Sequence, residues 1–200
     1  HCIREELNAS APRRMAVLDP LEVEITNFGE DETVYFDVVN NPEDPSAGTR
    51  KVPFTKHLYI ERADFSDNPP PKFQRLKPDS EVRFMSAYVV KCNEVIYGKD
   101  GRPAKLLCTV DPETAGCNPP DGRKIKGTIH WVSAAHAKTA EVRLYDRLFT
   151  IEDTGAIPED KSFKDYLNPE SLTVMPNAKL EEALDGAKPA ETAVKTFDNG

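Results

Sequence analysis

The sequence predicts an all-β protein, a barrel or a sandwich, on three observations. Short apolar stretches alternate with polar residues at a period of two. Prolines, 17 in 200 residues, cluster at 42–45, 69–71, 112–120 and 158–189, between those stretches. Helical periodicity is weak throughout.

Taken in order, the first residues read as the end of a helix, with Pro12 beyond it. Leu21–Ile25 and Val34–Val38 follow a period of two and read as half-buried strands. Lys56–Glu61, Val82–Tyr97, Ala104–Val110, Ile125–Val132, Glu141–Ile151 and Leu172–Met175 are further strand candidates, several rich in Val, Ile, Tyr and Phe. Residues 69–71 and 98–101 read as loops, the second carrying the hairpin dipeptide Asp100-Gly101. Lys179–Leu184 reads as a short helical turn capped by Asn177. The Pro/Gly-rich stretch 111–122 is the best internal boundary. It divides the chain into units of 1–115 and 116–200, and the polar end of the second reads as truncated.

Composition bounds the function. A 38% hydrophobic content suffices for a core. No stretch approaches the roughly 18 apolar residues of a membrane span, and the N-terminus lacks the apolar region of a secretory signal. The four cysteines form no C-x-x-C pair and read as reduced thiols of a cytoplasmic protein. The net charge of −8 argues against nucleic acid when taken whole. Partitioned, it reverses: residues 121–150 carry Arg123, Lys124, Lys126, Lys138, Arg143 and Arg147 against Asp121, Glu141 and Asp146, a local +3. His130, Trp131, His136, Tyr145 and Phe149 are interleaved there. That mixture suits a surface that holds splayed single-stranded bases, and equally a solvated strand face over core aromatics.

No constellation of catalytic residues emerges. Cys108, Cys117, His130 and His136 imitate a zinc set in two gaps, but the first gap is too long. Ser133 and His136 lie close in sequence without a nucleophile elbow, and no glycine-rich phosphate cradle is present. Arg13 and Arg14, between Pro12 and the first strand, could present guanidinium forks to a base edge or phosphate, or simply face solvent at a junction.

Several blocks together carry a family resemblance. Cys2-Ile3-Arg4-Glu5-Glu6-Leu7-Asn8 precedes Ala11-Pro12-Arg13-Arg14-Met15, and Val52-Pro53-Phe54 precedes Tyr59-Ile60-Glu61-Arg62-Ala63-Asp64-Phe65. Gly122-Arg123-Lys124-Ile125-Lys126-Gly127 runs into Ile129-His130-Trp131-Val132-Ser133-Ala134-Ala135-His136-Ala137, followed by Arg143-Leu144-Tyr145-Asp146-Arg147-Leu148-Phe149 and Asn168-Pro169-Glu170-Ser171-Leu172. In this order they resemble the anticodon-binding region of the glutaminyl-tRNA synthetases, with eukaryotic and archaeal-type glutamyl-tRNA synthetases as the nearest competitor.

The resemblance implies two β-barrels of the ribosomal protein L25-like kind, with strands exchanged between them and few short helices. It implies a monomeric, cytoplasmic partner of the tRNA(Gln) anticodon stem-loop. The catalytic domain would lie upstream in the same chain. The parent would be a class I ligase using ATP and Mg²⁺, and this fragment would hold no cofactor, no metal and no catalytic residue. Residue by residue, the resemblance assigns tRNA contacts to Arg13, Arg123, Lys124, Lys126, Arg143 and Arg147, with Lys124 and Lys126 on one face of a strand. Trp131 and Phe149 are expected in the barrel core. A β-domain for protein interaction, consistent with the acidic total, stays open as the alternative.

Overall fold

The computed structural model describes residues 2–153, 155, 157–158 and 160–185. Helix α1 (Cys2–Ser10) opens the chain. It ends where Pro12 forces Ala11 out of the helical region, after a last bond from Ala11 N to Leu7 O at 2.8 Å.

Twelve strands follow: β1 (Ala16–Val17), β2 (Pro20–Ile25), β3 (Val34–Val39), β4 (Thr49–Phe54), β5 (His57–Glu61), β6 (Glu81–Phe84), β7 (Val89–Tyr97), β8 (Pro103–Asp111), β9 (Thr128–Ile129), β10 (Trp131–Ser133), β11 (Lys138–Tyr145) and β12 (Leu172–Leu180). Seven of them form one sheet in the order β10-β5-β2-β8-β7-β6-β9. β2 lies near its middle, antiparallel to β5 with Val23 opposite Leu58, and parallel to β8 with Val23 opposite Leu106. Its alternation is obeyed: Leu21, Val23 and Ile25 are fully buried, while Glu22 and Glu24 reach out to Lys105.

The two edges of this sheet belong to adjacent residues. β9 pairs with β6 at one edge, and β10 pairs with β5 at the other. Only His130 separates them, so the segment 128–133 draws the sheet into a nearly closed barrel. A strand shared between both edges leaves few backbone groups unpaired there. Residues 128–133, beyond the Pro/Gly-rich boundary, thus complete the sheet made by residues 20–111.

One hydrophobic core fills this unit. Phe54 is its hub, with ring centroids 5.0 Å from Trp131, 5.1 Å from Tyr88 and 5.4 Å from Phe28, all edge-on. Trp131 is fully buried and its indole N–H donates to Met85 O at 3.0 Å, so its one polar atom is satisfied. The β3–β4 hairpin contributes Phe36, Val38, Val52 and Phe54 to the same core.

A second sheet, β1-β12-β11, joins an early strand to two late ones. β1 pairs with the end of β12 through Ala16 opposite Leu180 and Val17 opposite Lys179. β11 and β12 form a long antiparallel pair whose side chains are largely exposed, Ala178 being the one buried residue among them.

Four local expectations change. Val82–Tyr97 is two strands, because the chain turns at 85–88 with Ser86 at a φ of 58°. Lys179 and Leu180 belong to β12, and a single 3₁₀ turn, Glu182–Leu184, replaces the helical turn expected after Asn177. The ladder with β1 supplies hydrogen bonds that a short isolated helix cannot match. β11 stops at Tyr145, short of Ile151, and Phe149 sits half-buried outside the core, bridged to Leu167.

Candidate nucleic-acid interface

The residues that could meet a charged ligand gather at two hollows. The first, about 430 Å³, lies between residues 73–82 and 124–127. Lys124 and Lys126 line it, together with Arg75, Lys77 and Lys91. Residues 123–127 form no ladder of their own, yet exposure alternates, with Lys124, Lys126 and Thr128 outward. The segment is held by Gly127, whose carbonyl accepts from Arg83 N at 2.8 Å. A Cβ at Gly127 would stand 1.9 Å from Gln74 O, so only glycine permits this approach. The ammonium groups of Lys77, Lys91, Lys124 and Lys126 have no ion-pair or hydrogen-bond partner among the described residues. Asp79 and Glu81 share this lining, Glu81 being paired with Arg123, so the cations around the depression outnumber the acids and its field is net positive.

Arg123 stands apart from that group. Its guanidinium donates to Glu81 Oε2 at 3.0 Å, Asp111 Oδ2 at 2.5 Å and Asp121 Oδ2 at 2.7 Å. These bonds hold its pKa above the ordinary arginine value, and the Arg123 backbone N–H, donating to Asp121 Oδ1 at 3.0 Å, together with the guanidinium draws the Asp121 carboxyl below its ordinary value. Three carboxylates from three segments fasten the stretch 111–123 to β6, so Arg123 places the lysines that follow it.

The second hollow, about 770 Å³, is lined by Arg13, Arg14, Arg50 and His130 among apolar residues including Met15, Val39 and Met85. Arg13 Nη2 donates to Asn8 Oδ1 at 3.1 Å and to Asn8 O at 3.3 Å, and Arg13 N bonds to Asn40 O. Its guanidinium makes no ion pair among the described residues. Arg50 donates Nη2 to Glu181 Oε2 at 2.7 Å and Nε to Glu181 Oε1, and Nη1 to Val39 O at 3.1 Å. Glu181 also accepts from Met15 N at 2.8 Å. This buried carboxylate ties the end of β12 to the wall of the hollow.

Arg143 and Arg147 line neither hollow. Arg143 pairs with Glu141 at 2.7 Å on the open face of β11, which raises its pKa, and Arg147 lies 3.7 Å from Glu152 in the loop beyond. Ser133 is buried and bonded to Thr55 Oγ1 at 2.8 Å and His136 Nδ1 at 3.1 Å, a structural knot. Cys108 sits in the core opposite Cys92, whereas Cys117 is exposed. Sequence reasoning missed Arg50, Arg75, Lys77, Lys91 and His130 as hollow-lining residues. Their separation in the chain hides the grouping.

Guanidiniums at an apolar hollow and bare ammoniums at another are the chemistry with which a surface can hold nucleic acid by charge and base contact. Comparison with known families agrees: residues 11–111 and 128–193 match two families, each described as the anticodon-binding domain of class I tRNA synthetases (E and Q). The chain belongs to this family. It is 51% identical over 183 residues to a glutamine–tRNA ligase of Bradyrhizobium diazoefficiens, covering 92% of this chain and 32% of that protein. Glutamine–tRNA ligases of Rhodopirellula baltica and Tolumonas auensis are 50% and 49% identical, covering 96% and 94% of this chain and 31% and 34% of theirs. The chain spans about a third of the length of these relatives.

Proposed function

We propose that this chain reads the anticodon loop of tRNA(Gln) for a parent enzyme that joins glutamine to that tRNA. The observation that carries the reading is the presence of four unpartnered lysines at one hollow and of the Arg13 guanidinium, without an ion pair among the described residues, at a second. Anticodon bases would unstack into the hollows. Arg13 would donate to a base edge, while Lys124 and Lys126, with Lys77 and Lys91, would neutralise loop phosphates. Arg123 would act by placing those lysines, and Arg143 and Arg147 would meet the outer flank of the RNA. A wrong base would leave donors buried and unpaired, which costs about 1–3 kcal/mol per group and gives discrimination.

The parent would be a monomeric cytoplasmic enzyme whose ATP and Mg²⁺ chemistry is carried by residues outside these 200. Among the described residues no group of three or more His, Cys, Asp or Glu could hold a metal ion, and no helix is long and apolar enough to cross a membrane. As a working division, the first barrel would take residues 1–115 and the second 116–200, with 128–133 and β1 as the strands each lends the other.

The test is a titration of the chain with a glutamine-type anticodon stem-loop and with loops carrying single base changes, at two salt concentrations. The expected result is a base-dependent loss of roughly 1–3 kcal/mol per wrong base and weaker binding at higher salt. Equal affinity for every loop would refute this reading and favour the protein-interaction alternative.

A further inference from the structure

We propose that Asp64 is a positioning residue that orients one side chain at each of the two hollows, the Arg75 guanidinium in one and the His130 ring in the other, and so ties base selectivity in one to selectivity in the other. The proposal rests on the reading that both hollows meet the anticodon loop. Asp64 ends a 3₁₀ turn, Arg62–Asp64, directly after β5. It is 6% exposed, a buried carboxylate that needs partners. Its Oδ1 lies 3.1 Å from Arg75 Nε, and its Oδ2 lies 3.9 Å from His130 Nδ1. Arg75 lines the lysine hollow and His130 lines the Arg13 hollow. One carboxylate therefore stands behind both.

The backbone makes this carboxylate a fixed reference point. Phe65 N bonds to Arg62 O at 3.1 Å, Leu76 N bonds to Asp64 O at 3.0 Å, and Ser66 N bonds to Leu76 O at 3.1 Å. The fully buried Leu76 anchors the strand-like contact between the two segments. Asp64 is buried on a backbone that these bonds hold, whereas the Arg75 side chain is about half exposed and also donates Nη1 to Ala63 O at 3.4 Å. A ligand that draws Arg75 into its hollow leaves Asp64 with the His130 ring as its nearest remaining partner, and one that draws His130 leaves it with Arg75. Burial pushes the Asp64 carboxyl above its ordinary range, Arg75 and His130 oppose that rise, and Glu61 adds to it. The group is thus poised so that loss of either partner is felt by the other. Both hollows share one counter-charge, which is a physical route for coupling between them.

The experiment compares the parent chain with Asp64→Asn, Arg75→Ala and His130→Ala against the panel of anticodon stem-loops with single base changes. Arg75→Ala and His130→Ala are expected to lose discrimination mainly at different loop positions, and Asp64→Asn to lose about tenfold at both. In the RNA-free chain, the Arg75 Nε–H resonance should be protected from exchange in the parent and move to the free-arginine position in Asp64→Asn. If Asp64→Asn does not fold, Asp64→Glu, which moves the charge by one methylene, takes its place with the same expected results. An unmoved Nε–H resonance, a loss at one loop position only, or an equal loss for every loop would overturn the proposal. A parent chain that binds all loops alike refutes the anticodon reading instead, and the resonance then still reports on whether Asp64 holds Arg75.

Discussion

Removal of the Glu181 carboxylate should be among the most damaging single changes in this molecule. Glu181 is 5% exposed and the Arg50 side chain 10% exposed, and they meet through two parallel N–H···O contacts. Glu181→Ala strands a nearly buried guanidinium and removes the acceptor of Met15 N. Breaking one side of a buried pair costs about 3–5 kcal/mol. The orphaned Met15 amide adds up to about 1–3 kcal/mol unless water reaches it. Against a total stability of about 5–15 kcal/mol, the loss is large. It should fall on the attachment of the second sheet, because β1 pairs with β12 over only two residues. Urea unfolding of the parent, Glu181→Ala, Arg50→Ala and the double variant measures it. The double variant should lose less than the sum of the singles, by about 1–3 kcal/mol. Strict additivity, or a Glu181→Ala variant within about 0.5 kcal/mol of the parent, would refute the reasoning, since surface changes behave that way.

Replacing Lys124 and Lys126 by Ala should weaken all stem-loops alike and lower the slope of log affinity against log salt by about 1.4, as for two single-strand phosphate contacts. Binding isotherms across a salt series check this. Gly127→Ala should destabilise by about 1–3 kcal/mol or more, because the added carbon meets a backbone carbonyl that cannot rotate away; thermal unfolding reads it. Cys117 should react with iodoacetamide in the native protein, while Cys92 and Cys108 react only on unfolding. Their mutual hydrogen bond and burial push the Cys108 thiol up and away from its reactive form. Mass mapping of the labelled cysteines distinguishes the two classes.

Local pattern carried the β architecture. Period-two alternation in Leu21–Ile25 and Val34–Val38 is a property of neighbouring residues, and a strand buries one face whichever partner it finds. Gly98–Gly101 and the chain-breaking Pro12 act at short range too. β4 was invisible because Thr49-Arg50-Lys51 is polar and Pro53 discourages a strand. It forms because β3 pairs along its whole length and Phe54 becomes the hub of the core.

The sequence by itself determined that the chain is all-β, that Trp131 belongs in the core and that its basic residues concentrate at 121–150, because alternation, apolarity and charge are written residue by residue. The tertiary structure alone decided which of those cations are free. Arg123 is bound by acids 42, 12 and 2 residues away, whereas Lys124 and Lys126, beside it in sequence, face a hollow completed from residues 73–91. A charge is committed or available according to what the fold brings within a few ångströms, and Coulomb attraction at that range depends on strand register rather than on sequence neighbours.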